Sequence, residues 1–497
     1  MSTKWILAAA PLLAAFSANL HAQAPMPGVT AEQMMRHIKV LASDEYEGRK
    51  PGTEGERKTT SYIVSQLAAL GLDPAGENGW YQPVGLVERV PSTAQVSWKL
   101  KGKVLKVGPR DFVLTGREGN VKIEDAPAYF VGHGLVIPEA GIDQLAGLDL
   151  NGAIAFLWAT PPEGLESDPG YDQSVASLIE RGAAAVIGVY PDEVRWANVV
   201  AFASEGSTRL QIIPAPPVRG VTSQSAFGRL LGKGDGRPDP KADPRAIRPI
   251  RLNARGTLDV STRINSYTTN NVVGRLRGSA RNGESVLYLG HWDHLGICGT
   301  EKDADRICNG AVDNASGIAM MIEITRALAR GKRPERDILV MATTAEEMGL
   351  LGAEYFSTRP TVPLGSIVAA INVDTVAIAG KGEPVAVLGR GHARIDALID
   401  ETARELGRAI DTDDEIDAFL ERQDGWKLTK AGVPTIMVGG SFSDMKKLGA
   451  FLGSSYHKAD DDLNRPIELG GAAEDADLMI ALGRKLADPK LYRPTRN

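Results

Sequence analysis

Ser285-Val-Leu-Tyr-Leu-Gly290 is a short apolar run that leads straight into His291-Trp-Asp293-His294. A run of this length and composition reads as a sheet strand buried on both faces. The arrangement recurs twice. Ile338-Leu-Val-Met-Ala-Thr-Thr344 leads into Glu346-Glu347, and Ile367-Val-Ala-Ala-Ile-Asn-Val373 leads into Asp374. The polar clusters then lie at the carboxyl ends of strands, the edge where open α/β sheets place their chemistry. Helical periodicity separates the strands. Residues 316–329 present Ile318, Met321, Ile322 and Leu328 and stop at Gly331. Another helix is expected from Gly349 to Phe356, a strand at Thr435-Ile-Met-Val438, and a terminal amphipathic helix from about Glu474 to Leu486. From 251 onward the chain reads as a regular α/β alternation. This predicts a mixed, mostly parallel β-sheet with helices on both faces.

A chain of 497 residues exceeds one core, so two or three domains are expected. Lys4, the apolar stretch from Trp5 to Phe16, and Ala22-Gln23-Ala24 read as a secretory signal peptide over 1–24. Cleavage near Ala22–Ala24 would release the chain to the periplasm or the medium. The apolar core is short for a membrane span, so no membrane anchor is expected. Residues 25–117 combine two helical stretches with strand-like segments and are expected to form the first part of the domain that carries the polar clusters. Residues 118–250 change character, with strands at Pro127–Gly132, Gly152–Trp158 and Gly182–Val189. They end in a charged, Pro/Gly-rich segment over 233–248 and are expected to form a smaller inserted domain of α/β or β-rich type. Residues 251–497 carry the polar clusters. The net charge of −6, with no basic stripe, argues against nucleic acid and anionic membranes as partners. Cys298 and Cys308 fall in one loop of a chain expected to be exported, which makes a disulfide the expected state.

His291, Asp313, Glu346, Glu347, Asp374 and His457 together offer two imidazoles and four carboxylates. Such a mixed nitrogen and oxygen set suits zinc, as one ion or two. Asp313 lies between a loop and a helix and is placed to reach both ions. His291 and His457 each supply a neutral nitrogen, while Glu347 and Asp374 each complete one ion. Glu346 is left free to accept a proton from a metal-bound water. Asp293, two residues beyond His291, is placed to orient that imidazole. Singly, each cluster has a plainer reading: Asp-Asn before Ala-Ser-Gly is often a turn and cap, and Glu-Glu is often a helix start. Their shared position after strands raises the set above its parts. His294 fits a structural loop role as well as a metal role, His133 reads as structural, and His392 has no evident partner.

Gly290-His-Trp-Asp-His294, Ala311-Val-Asp-Asn-Ala-Ser-Gly317, Thr343-Thr-Ala-Glu-Glu347, Ile371-Asn-Val-Asp374 and Tyr456-His-Lys-Ala-Asp460 occur in this order. With Leu41-Ala-Ser-Asp-Glu-Tyr-Glu-Gly-Arg49 near the start, they resemble the co-catalytic zinc exopeptidases that include secreted bacterial leucyl aminopeptidases. The resemblance implies two Zn2+ ions, one on Asp313, Glu347 and His457 and the other on His291, Asp313 and Asp374. It implies Glu346 as general base, Asp293 behind His291, and Tyr456 as hydrogen-bond donor to the tetrahedral oxyanion. It further implies a cis Asp313–Asn314 bond and a protease-associated domain over 118–250. The implied activity is hydrolysis of N-terminal peptide bonds, with peptide or small-protein N-termini as substrates. Carboxypeptidase, dipeptidase or glutaminyl-cyclase-like chemistry, or an inert peptide- or glycan-binding protein, are the alternatives on similar scaffolds. One departure stands out. Where such proteins often carry Arg-Ser-Asp-His, this chain has Arg422-Gln-Asp-Gly425, which unsettles the specificity wall but not the metal set.

Overall fold

The computed structural model describes residues 28–105, 107–108, 110–165, 170–231 and 239–494. The expected signal peptide and the first part of the charged 233–248 segment lie outside the described residues.

The strands that matter to the site are β1 (Tyr81–Leu100), β2 (Phe112–Gly116), β3 (Asn120–Phe130), β4 (Ile154–Trp158), β5 (Ala185–Tyr190), β6 (Ser207–Leu210), β7 (Val218–Ser223), β8 (Ile250–Leu276), β9 (Ser285–His291), β10 (Asp337–Thr343), β11 (Ile367–Asn372), β12 (Ala386–Leu388) and β13 (Thr435–Gly439). They hydrogen-bond into one sheet in the order β12-β13-β11-β9-β10-β8-β3-β4-β5-β7-β2. β13, β11, β9 and β10 run parallel. A second parallel group is formed by β3, β4, β5 and β7. β8 joins the two groups, antiparallel to both β10 and β3. β1 pairs antiparallel with β8 along nearly its whole length, and β6 pairs antiparallel with β1.

The regular α/β alternation expected from 251 gives way, over Ile250–Leu276, to one long strand. The signal was present in the residues. Leu252, Ala254, Leu258 and Val260 are buried and alternate with exposed Arg251, Asn253, Arg255 and Asp259, a period of two. β9, β10 and β11 are instead buried on both faces apart from the half-buried Asp337, as parallel strands under two helical layers must be.

One face of the β9–β11 group is covered by the helices Ala31–Leu41, Gly317–Arg330 and Gly470–Leu486, through Ile38, Ile318, Ile322 and Leu482. The other face is covered by Leu351–Thr358 and Gly425–Lys430, through Phe356 and Leu428. The first helix starts cleanly because Thr30 and Gln33 form a reciprocal capping box, Thr30 Oγ1 accepting from the Gln33 amide and Gln33 Oε1 from the Thr30 amide. The helix expected from Gly349 begins instead at Leu351. Ala345, Gly349 and Leu350 all hold positive φ (53°, 109° and 62°), so residues 345–350 form a tight turn first. Separate apolar clusters fill the β3–β5 half, one around Trp98, Phe130 and Phe156 and one around Val131, Leu157 and Leu178. Cys298 and Cys308 are disulfide-bonded, with Cα atoms 5.7 Å apart, in a hairpin beside the site. Among the described residues no helix is long and apolar enough to cross a membrane.

Candidate metal centre

Parallel strands end together, so their last residues converge. His291 closes β9, and Glu346, Glu347 and Asp374 follow β10 and β11 within a few residues. His291 Nε2 lies 3.2 Å from Asp313 Oδ1, 3.4 Å from Asp374 Oδ1 and 4.0 Å from Glu346 Oε2. At the other end, His457 Nε2 lies 2.8 Å from Glu347 Oε2 and 3.5 Å from Asp313 Oδ2. Asp313 therefore stands between two clusters, one oxygen toward each. His294 is a third imidazole in the group: its Nδ1 is 2.5 Å from Glu347 Oε1 and 4.0 Å from Asp313 Oδ2. The donor atoms of His291, Asp313 and Asp374, and those of His294, Asp313 and Glu347, each fall within 4.8 Å of one another.

Asp313 is held by its surroundings. The peptide bond to Asn314 is cis. The amides of Val312 and Asp313 donate to the Asp461 carboxylate at 3.0 Å. Asn314 donates to the Val373 carbonyl and accepts from the amides of Gly317 and Thr375, which ties Asp313 to the strand end bearing Asp374. Asp293 Oδ1 accepts from the Glu346 amide at 3.1 Å. The closest contact to His291 Nδ1 is the carbonyl of Asp293, at 3.2 Å, and the Asp293 carboxylate stands at 3.9 Å. Tyr456 stacks on the His457 ring at 3.7 Å between centroids.

Arg49 explains why the N-terminal segment belongs here. Its guanidinium is almost completely buried and donates to the carbonyls of Leu41, Trp292, Asn309 and Gly310. These contacts hold the loop after His291 against the loop before Asp313. Gly48 lets the segment approach: φ is 63°, and a Cβ there would stand 2.4 Å from the Cys308 carbonyl.

The electrostatics fit a bound cation. Burial pushes Asp293 up to about 8 and Asp424 and Asp461 up to about 6. Burial beside Glu347, Asp424 and Asp374 also drives Glu346 well above the usual carboxylate range, against the pull of His291. Burial alone would lower His457, but hydrogen bonds to Asp313 and Glu347 push it up to about 9. Crowding carboxylates into a dry site is unfavourable unless positive charge compensates them. Buried His294 Nε2 and Asp293 Oδ2 have no hydrogen-bond partner among the described residues. The set of imidazole nitrogens and carboxylate oxygens suits one or two divalent ions.

Two cavities open beside the cluster. An open cleft is lined by Glu346, Glu347, Arg422, Trp426, Tyr456 and His457, among others. A side pocket next to Asp374 is mainly apolar, with Leu388, Phe419, Met437, Phe442 and Leu448. Arg422 and Tyr456 border both.

Residues 271–483 match the model of peptidase family M28. The matched stretch contains every residue of the two clusters. A glutamate carboxypeptidase 2 homolog of Caenorhabditis elegans is 26% identical over 319 residues, covering 57% of this chain and 38% of its own. The aminopeptidase NAALADL1 of Mus musculus is 33% identical over 123 residues, 24% of this chain and 15% of its own. The chain thus spans less than half the length of these curated relatives. A solved aminopeptidase from Aneurinibacillus sp. strain AM-1 shares the fold, with a TM-score of 0.52 at 18% identity over 94% of this chain and 98% of that one.

The structure brings together His291, Asp313, Glu346, Glu347, Asp374, Tyr456 and His457, with Asp293 directly behind them. Sequence reasoning left His294 open between loop and metal, and it missed Asp461 beside the quoted Asp460. It also gave Arg49 no task. An arginine in a Gly-Arg turn carries no local sign that its guanidinium will be buried among distant carbonyls.

Proposed function

We propose that the protein is a two-zinc exopeptidase that removes residues from peptide N-termini. The observation that carries this is the pair of clusters sharing Asp313, with Glu346 beside them. His291, Asp313 and Asp374 would hold one Zn2+, and Asp313, Glu347 and His457 the other. When bound, the ions supply Lewis acidity toward a peptide carbonyl and a nucleophilic water. Glu346 takes the proton of the attacking water and passes it to the departing amine. The Tyr456 hydroxyl donates to the oxyanion as the carbonyl becomes tetrahedral. Asp293 fixes the Glu346 amide, and with it the direction of the base.

The apolar side pocket beside Asp374 takes the side chain of the residue removed, which supports a preference for large apolar residues such as leucine. The division into catalytic parts and a protease-associated-like part over 118–250 belongs to the same proposal, supported by the apolar cluster around Val131, Leu157 and Leu178, which lies wholly within that segment. Export is supported by the sequence of residues 1–24 and by the disulfide.

A carboxypeptidase reading has one observation in its favour. Arg422 borders both cavities and makes no ion pair with a carboxylate among the described residues, leaving a cation for a substrate carboxylate. The zinc-loaded protein should hydrolyse a free leucyl peptide and its C-terminal amide at similar rates and leave the N-acetylated peptide intact. Cleavage of the acetylated peptide, with loss of activity on the amide, would establish the carboxypeptidase reading instead.

His294 is assigned to hold Glu347 by its Nδ1 contact. Changing His294 to Ala should leave the ion at His291 and Asp374 in place and weaken the other, so that mild chelation yields protein with about one zinc instead of two. Loss of an outer hydrogen-bond partner of this kind typically weakens a metal about 10–100-fold. Two zincs held as firmly as in the parent protein would show that His294 has no such part.

A further inference from the structure

We infer that Leu210, on β6, is a positioning residue for the turn that carries Glu346 and Glu347, so that a strand from the 118–250 segment supports the site. Ala345 and Leu350 have left-handed backbone at φ 53° and 62°, a conformation that non-glycine residues do not keep without support. The inner side of the turn has polar support. The Glu346 amide donates to Asp293, the Thr344 amide donates to Asn271, and the Thr344 and Thr269 hydroxyls lie 2.7 Å apart. The outer side is packed mainly by apolar groups: Ala345 and Leu351 are buried in one cluster with Val84, Leu86 and Leu210, with Tyr267 and Met348 at its edge and the Tyr267 hydroxyl 3.5 Å from Met348 Sδ.

Leu210 is 1% exposed and is the member of that cluster contributed by the 118–250 segment. It is delivered there by backbone pairing. β6 runs antiparallel to β1 from Ser207 opposite Arg89 to Leu210 opposite Leu86. Gln211 then locks the end of β6, its amide donating to the Gly85 carbonyl and its side chain to the Leu86 carbonyl. Truncating Leu210 removes the wall that keeps Ala345 and Leu351 in place and lets the turn drift while its polar contacts remain. A shift of a fraction of an ångström at a base and a ligand is felt in turnover far more than in substrate binding.

The test compares Leu210→Ala with Leu157→Ala, a buried leucine in a cluster of the β3–β5 half away from the turn. Both variants should melt at lower temperature. Leu210→Ala alone should show faster hydrogen exchange at the amides of residues 349–352, weaker zinc retention against a chelator, and kcat lowered about tenfold with KM within about twofold. Leu210→Met, which refills the volume, should restore all three, and Leu210→Val gives a milder probe if the alanine variant does not fold. The kinetic arm rests on the exopeptidase reading and the zinc arm on its metal assignment, whereas the exchange arm rests on neither. Altered exchange and zinc retention without any peptidase activity would sink that reading and leave this one standing. Parent-like exchange in Leu210→Ala, or equal changes in both variants in proportion to melting temperature, overturns it.

Discussion

Glu346→Gln should lower kcat for an unblocked peptide by roughly 10²–10⁴, the usual worth of a positioned general base. The substitution keeps size and shape and removes the negative lone pair that would accept a proton in the proposed mechanism. The main-chain amide of Glu346 stays anchored on Asp293, so the side chain keeps its place. Glu346 Oε2 stands 4.0 Å from His291 Nε2, and zinc content should survive because His291, Asp313, Glu347, Asp374 and His457 are unchanged. KM should change little, because the lost interaction belongs to the transition state. Glu347→Gln separates the two acids. Glu347 touches both His294 and His457, so this change should strip zinc as well as activity. The deciding quantity is kcat per bound zinc in the two variants. A fully metallated Glu346→Gln protein with parent-like kcat would remove Glu346 from the mechanism.

Arg49→Met should destabilise the protein by on the order of 4 kcal/mol and empty the metal centre together. Four buried carbonyls lose their donor, and each unsatisfied buried group costs about 1–3 kcal/mol, reduced where the chain can relax. The Arg49 charge also offsets Asp313, Asp461, Asp293 and Glu347, although burial outweighs this and lowers the guanidinium to about 10. Lysine cannot replace it, because one ammonium does not span four carbonyls set in a fork. Urea unfolding of zinc-loaded and zinc-free forms would measure both effects. A loss below ~0.5 kcal/mol, the range of an ordinary surface change, with full zinc retention would show that Arg49 does not hold the two loops.

Much of the site was legible because its chemistry sits at strand ends. A buried strand announces itself by an apolar run, and the polar residue that stops the run is marked by contrast, as with His291, Glu346 and Asp374. The parallel group β9–β11 and its helices follow from the same local patterns, since periodicity is a property of neighbouring residues. The pairing of Cys298 with Cys308 was equally local, ten residues apart in one loop.

What lay beyond local pattern needed the folded chain. The alternation in Ile250–Leu276 could be read as strand, but not that this strand would join two parallel groups into one sheet. That is decided by which backbone edges meet, and edges carry no residue label. His294 and His457 are far apart in sequence, yet both reach Glu347 because β9 and the loop bearing Tyr456 arrive at one place. The reach of Arg49 to Asn309 and Gly310, and of Leu210 to the turn after β10, has the same origin. The residues themselves determined which groups could bind metal and move protons. Only the tertiary structure decided which oxygen of Asp313 faces which histidine and which distant side chains hold the ensemble still, because those contacts depend on sheet topology and not on neighbouring residues.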